Sequence, residues 1–127
     1  MDLDQLFSEC DIISLHCPLT PENKGFIDKE FIAGMKDGAV LINTARGALV
    51  NESDLAEALK SGKLAAAALD VLSTEPPKAG HPLIGLPNCI LTPHIAWMPK
   101  ETRQKVIDIC AANLESFLNG GRLNRIV

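Results

Sequence analysis

The sequence predicts an α/β domain built on a doubly wound parallel sheet. Three observations carry this reading: short apolar runs recur along the chain, capped helical segments separate them, and no internal repeat or low-complexity linker interrupts the alternation. Strands joined through helices make right-handed crossovers, and these leave neighbouring strands parallel. At 127 residues, 46% hydrophobic and 22% charged, the chain has the size and composition of one soluble globular domain.

The elements follow in order. "DIISLHC" (11–17) is a continuous apolar run, as expected for a strand buried on both faces. "PLTPENKGF" (18–26), with two prolines and a glycine, is a loop. "DKEFIAGMK" (28–36) reads as a short helix capped by Asp28 and stopped at "KDG". "AVLINT" (39–44) is a second buried strand. "NESDLAEALKSG" (51–62) is the clearest helix, with Asn51 or Ser53 as cap, acids in the first turn, and Gly62 after Lys60 at the end. The alanines of "AAAALDV" (65–71) favour helix by propensity, but the length and flanks of the run predict a strand in close contact with helices. Residues 72–88 form a long Pro/Gly-rich loop, and "CILT" (89–92) is the fourth strand. After Pro99, the stripe Val106, Ile107, Ile109, Cys110, Leu114, Phe117 and Leu118 predicts a helix over about 99–119, ending at Gly120 and Gly121.

Charge and composition exclude several function classes. A net charge of -4 argues against nucleic acid or an anionic membrane as partner, since both require basic patches. No run of eighteen apolar residues occurs, and the acidic start "MDLDQLFSEC" lacks the features of a secretory signal, so a cytoplasmic location is expected. The four cysteines, Cys10, Cys17, Cys89 and Cys110, form no CxxC pair. They read as buried thiols packed like small hydrophobes rather than as a disulfide framework or a zinc site.

In a doubly wound sheet, ligands collect at the carboxyl ends of the strands. Pro18, Arg46, Asp70 and His94 each follow or end a predicted strand, with Glu75 just beyond the third. A guanidinium, two carboxylates and an imidazole should therefore meet on one rim. Arg46 can grip a carboxylate through two parallel hydrogen bonds, with Gly47 allowing close backbone approach; its alternative is an ordinary surface ion pair. His94, stiffened by Pro93, can exchange a proton near neutral pH, or it can simply cap or pack. Glu75 favours the first, because a carboxylate beside an imidazole stabilises the protonated ring. Asp70 ends an aliphatic strand and needs a partner, either a ligand amide or hydroxyl or a nearby turn. His16 is expected to bond backbone at a strand end, and His81 to be a loop histidine. Trp97, the single tryptophan, lines a pocket or anchors the next helix.

"HCPLT", "LINTARGALVNESDLAEALKSG", "AALDV", "EPP" and "LTPHIAW", in this order across the chain, resemble the D-isomer-specific 2-hydroxyacid dehydrogenases. "NTARGALV" with "TPHIAW" is most similar to the glycerate dehydrogenase/hydroxypyruvate reductase group. The resemblance implies a Rossmann-type nucleotide-binding domain, NAD or NADP as cofactor, and a small 2-oxo or 2-hydroxy acid as substrate. It implies Arg46, Glu75 and His94 as the catalytic triad. Arg46 would bind the substrate carboxylate, His94 would pass a proton to or from the substrate oxygen, and Glu75 would hold His94. A glutamate rather than a glutamine at this place speaks against the formate-oxidising branch. Asp70 would bind the nicotinamide carboxamide, with Cys17, Pro18, Thr44, Ala45, Arg46 and His94 along the cofactor and Trp97 in the substrate pocket. No metal is implied. The family also resembles transcriptional corepressors, so a catalytically silent interaction module is the other reading.

The nine glycines include no G-x-G-x-x-G, the turn that seats a pyrophosphate at a helix N-terminus. The family pattern places that turn before Met1, so the expectation is a fragment: the C-terminal part of the nucleotide domain, with the last helix returning toward a substrate domain. Such a fragment is expected to be inactive alone, and to form a dimer or higher oligomer through its exposed first strand and last helix.

Overall fold

The computed structural model describes residues 2–126, which divide into two units on either side of the His94–Ile95 junction. The first unit holds a parallel sheet whose strands follow in sequence order: β1 (Ile12–Leu15), β2 (Ala39–Asn43), β3 (Leu64–Leu69) and β4 (Cys89–Leu91). Each strand pairs with the next, as in Ile13 with Leu41, Leu41 with Ala67, and Leu69 with Leu91. Sequential order with right-handed crossovers sends every connection over the same face, giving one half of a doubly wound sheet.

Side-chain burial along the strands records this. Ile13, Leu15, Ala39, Leu41, Leu64, Ala67 and Leu69 are buried, whereas Ile12, Ser14 and Ile90 are exposed and Val40, Ile42, Ala66 and Ala68 half-buried. The run at 11–17 was expected to be buried on both faces; instead it alternates, and Ile12 is 63% exposed. Continuous apolarity predicts two covered faces only where both covering layers are present in the chain.

Three helices precede or join these strands. α1 (Leu3–Glu9), capped by the Asp2 side chain on the Gln5 N–H, was not anticipated. Its single buried residue, Phe7, makes an edge contact with Phe31, which gives too weak a periodicity to read in seven residues. α2 (Lys29–Gly34) starts where expected, with the Asp28 carboxylate accepting from the Phe31 N–H. In α3 (Glu52–Ser61), Asn51 rather than Ser53 is the cap, accepting from the Ser53 and Asp54 N–H groups. Gly62 ends α3 at φ 79°, a left-handed turn that costs other residues a steric penalty. α3 buries Leu55, Ala56, Ala58 and Leu59. Alanines on the helix and along β3 let the two backbones approach, so the alanine run becomes a strand despite its helix propensity. The fully buried Ile27, Leu41, Leu49, Leu55, Leu64 and Leu83 form the centre of the core. Each contributes about 1.5–3 kcal/mol of transfer free energy.

The second unit contains α4 (Lys100–Leu118), which ends in a turn at Asn119–Gly121. Its predicted apolar stripe is present but exposed: no residue of α4 is buried. The cysteine expectation also needs correcting. Cys17 and Cys110 are exposed and only Cys10 and Cys89 half-buried, because Cys17 lies past the end of β1 and Cys110 on α4. Burial pushes the Cys89 thiol above its ordinary pKa, which suppresses the reactive thiolate. Iodoacetamide near neutral pH should therefore modify Cys17 and Cys110 first and Cys89 last, as read by peptide mass spectrometry.

Candidate active site

Because all four strands run the same way, their carboxyl ends share one rim, and the residues just beyond those ends sit there. Beyond β1 come Cys17 and Pro18, both exposed, with the Pro18 carbonyl accepting from the Asn23 amide at 2.8 Å. His16 bonds the Ser14 hydroxyl at 2.8 Å rather than backbone, because the exposed side of β1 places both side chains together.

Beyond β2 come Thr44, Ala45 and Arg46. Asn43, only 1% exposed, builds this turn: its amide donates to the Arg46 carbonyl at 2.9 Å while its carbonyl accepts from the Ala45 N–H at 3.0 Å. The Arg46 guanidinium donates to the Ala45 carbonyl at 2.7 Å. Among the described residues it makes no ion pair with a carboxylate. Gly47 then passes against the backbone beyond β3. A Cβ there would lie 2.0 Å from the Leu72 carbonyl carbon and 2.2 Å from its oxygen.

Beyond β3 stands Asp70, whose carboxylate is 6% exposed and accepts from the Thr92 hydroxyl beyond β4. Glu75 uses one oxygen to accept from the Leu72 N–H at 2.9 Å and the other to meet His94 Nδ1 at 2.8 Å. The Leu72 N–H first, and then the bond to His94, hold the Glu75 carboxyl below its ordinary pKa, against smaller opposition from burial and from the Asp70 charge. His94 sits at φ 56°, an uncommon conformation for a non-glycine residue and one often found at functional positions. With Nδ1 on Glu75, Nε2 is the nitrogen left for proton exchange. Asp70, Leu72, Glu75, Thr92, Pro93 and His94 line a pocket of about 260 Å³. A larger recess of about 650 Å³, beside α1 and α2, is lined by Asp2, Asp4 and Glu30 and has none of this chemistry.

The structure thus brings Asp70, Glu75 and His94 together and puts Arg46 on the same rim, outside the lining of that pocket. Trp97 belongs to the second unit and is 58% exposed. No cluster of three or more His, Cys, Asp or Glu suited to a metal occurs among the described residues. The donor set does suit a nicotinamide: a buried carboxylate at the end of β3 can accept from a carboxamide, and the residues Cys17, Pro18, Thr44 and Arg46 beyond β1 and β2 are exposed on the same rim.

Residues 1–96 match the family described as D-isomer specific 2-hydroxyacid dehydrogenase, NAD binding domain. The chain belongs to this family. It is 56% identical over 124 residues to a hydroxypyruvate reductase of Blautia hydrogenotrophica, covering 98% of the chain and 38% of that protein. It is 47% identical over 122 residues to a glycerate dehydrogenase of Methylorubrum extorquens, covering 94% and 39%. The crystal structure of D-lactate dehydrogenase with NAD+ from Lactobacillus jensenii superposes with a TM-score of 0.88 at 36% identity, covering all of this chain and 42% of that one. The chain therefore spans about two fifths of the length of these dehydrogenases and reductases.

Sequence reading did not single out Asn43, Glu52 or Thr92 as side chains that tie these turns together, whereas His81 lies in a loop, as expected. The His81 side chain is nearly buried, with Nε2 3.1 Å from Glu52. A polar residue closing an apolar run, as Asn43 does in "LINTARG", is the signal that could have found the first. The Gly47 contact generates a direct prediction. Gly47→Ala should destabilise the chain by about 1–3 kcal/mol in urea denaturation, as for other overpacked sites. It should also displace Leu72 and Glu75, so that the Glu75–His94 contact is lost from NMR spectra.

Proposed function

We propose that this chain forms the nicotinamide-facing part of a reductase of small 2-oxo acids such as hydroxypyruvate or glyoxylate, using NADH or NADPH in the cytoplasm. The observation that carries the reading is the Glu75–His94 bond on a rim that also presents Arg46, which has no carboxylate partner among the described residues. Four unpaired thiols suit the reducing cytoplasm. When bound, the nicotinamide supplies the hydride; the chain's residues do the rest. Arg46 takes the substrate carboxylate in a bidentate grip and so orients the carbonyl. His94 Nε2 gives a proton to the carbonyl oxygen in reduction and takes it back in oxidation. Glu75 fixes the ring through Nδ1. Asp70 accepts from the carboxamide, and the main chain at Cys17, Pro18, Thr44 and Ala45 lines the cofactor.

Turnover also needs the larger remainder of the relatives' length, so the 127 residues alone are expected to be inactive. The test is a chimera in which this chain replaces the matching segment of the Blautia reductase, assayed by NADH oxidation with hydroxypyruvate and glyoxylate. His94→Gln should lower kcat by about 10²- to 10⁴-fold. Arg46→Ala should cut kcat/KM by about 10²-fold or more, the cost of losing a bidentate charge pair. A chimera as active with His94→Gln as without it would end the proposal.

The exposed Ile12 on the edge strand β1 and the exposed stripe on α4 further support self-association into a dimer or higher oligomer. Light scattering at several concentrations should show a mass above that of the monomer; a monomer throughout refutes this.

A further inference from the structure

We infer that Glu52 is a positioning residue, which holds the segment at Leu72 and Ser73 so that Glu75 meets His94. The inference gives Glu52 its purpose from the acid–base reading of Glu75 and His94, but its geometry stands independently. Glu52 is the first residue of α3, far from the pocket in sequence, yet it reaches the loop that carries Glu75. One oxygen accepts from the Ser73 N–H at 2.7 Å, the other from the Ser73 hydroxyl at 2.6 Å and from His81 Nε2 at 3.1 Å. Its side chain is 13% exposed and that of His81 8%. A carboxylate so far removed from water is costly unless its lone pairs are filled, and three donors fill them here.

The neighbouring bonds give the contact its consequence. The Leu72 N–H is taken by Glu75 and the next N–H, that of Ser73, by Glu52. Gly47 abuts the carbonyl between them. Two successive peptide units, Val71–Leu72 and Leu72–Ser73, are thus fixed, the first by the glutamate that holds the histidine and the second by α3 and the arginine-bearing turn. On the far side, His81 Nδ1 accepts from the Leu83 N–H at 3.4 Å, which assigns the ring proton to Nε2, facing Glu52. Leu83 is fully buried in the core, so the otherwise exposed loop is pinned at both ends of this network.

The test follows the chain itself by NMR, without turnover, so its outcome is separable from that of the chimera assay. The Glu75 carboxyl carbon is titrated and amide exchange is measured. In Glu52→Ala, the Glu75 titration should move up toward the ordinary glutamate range. The Leu72 amide should exchange about tenfold faster, the scale of losing one hydrogen bond to a charged group. The Leu41 and Leu69 amides should stay protected, reporting an intact sheet. Glu52→Gln, which keeps an acceptor for the Ser73 N–H, should restore most of both effects. Unchanged Glu75 titration and Leu72 exchange in a folded Glu52→Ala would overturn the inference and leave Glu52 a stabilising residue only. If Glu52→Ala does not fold, Ser73→Ala decides, since it removes one donor at an exposed residue. Faster Leu72 exchange supports the inference, and wild-type exchange overturns it.

Discussion

The rim depends on a backbone-to-backbone contact at Gly47, where the turn leaving β2 lies against the Leu72–Ser73 peptide leaving β3. Parallel strands alone bring their carboxyl ends to one side, but they leave the turns beyond free to diverge. With no side chain at Gly47, the two turns close to van der Waals distance. The chain can then carry a guanidinium on one turn and a carboxylate on the other at fixed separation. Asn43 rigidifies the first turn from below, bonding both Ala45 and Arg46. Each of these features acts on backbone and so fixes where the chain carries Arg46 and Glu75.

The Glu75–His94 pair is better understood as an orienting contact than as a source of stability. Its side chains are 38% and 44% exposed, and a pair so open to water contributes at most about 1 kcal/mol. What the pair supplies is direction: Glu75 occupies Nδ1 and so sets the orientation of the ring. The depressed Glu75 pKa has the matching sign. It keeps the carboxylate ionised as pH falls below the ordinary glutamate value, and the stability that ionisation contributes is lost only on passing through the lower folded value.

How much of this was legible varies with the physics involved. Asp28, Asn51 and Gly62 act through local hydrogen bonds and local φ, and local sequence sufficed to place α2 and α3. Arg46, Asp70 and His94 were legible because strand ends can be read from apolar runs, and the parallel topology does the rest. Glu52 was not, since nothing near α3's first turn announces a partner beyond β3. Nor was His94's positive φ, which depends on how Pro93 and the strand end are packed. The open face of the sheet was hidden for a different reason: apolarity at Ile12 and Ile90 records a requirement for cover, and it does not say where the cover is encoded.

That last point bears on Asp70. A carboxylate at 6% exposure, at the end of a strand of alanines and leucines, is an expensive placement for a turn cap. The Thr92 hydroxyl offsets part of the cost and ties the end of β3 to that of β4. The same hydrogen bond commits one oxygen and sets the carboxylate plane beside the pocket that Glu75 and His94 share. A capping role alone would be met as well by an exposed asparagine or serine, without desolvating a charge. The buried acid is thus placed where it both joins the ends of β3 and β4 and borders the pocket of Glu75 and His94, which an exposed cap could not do.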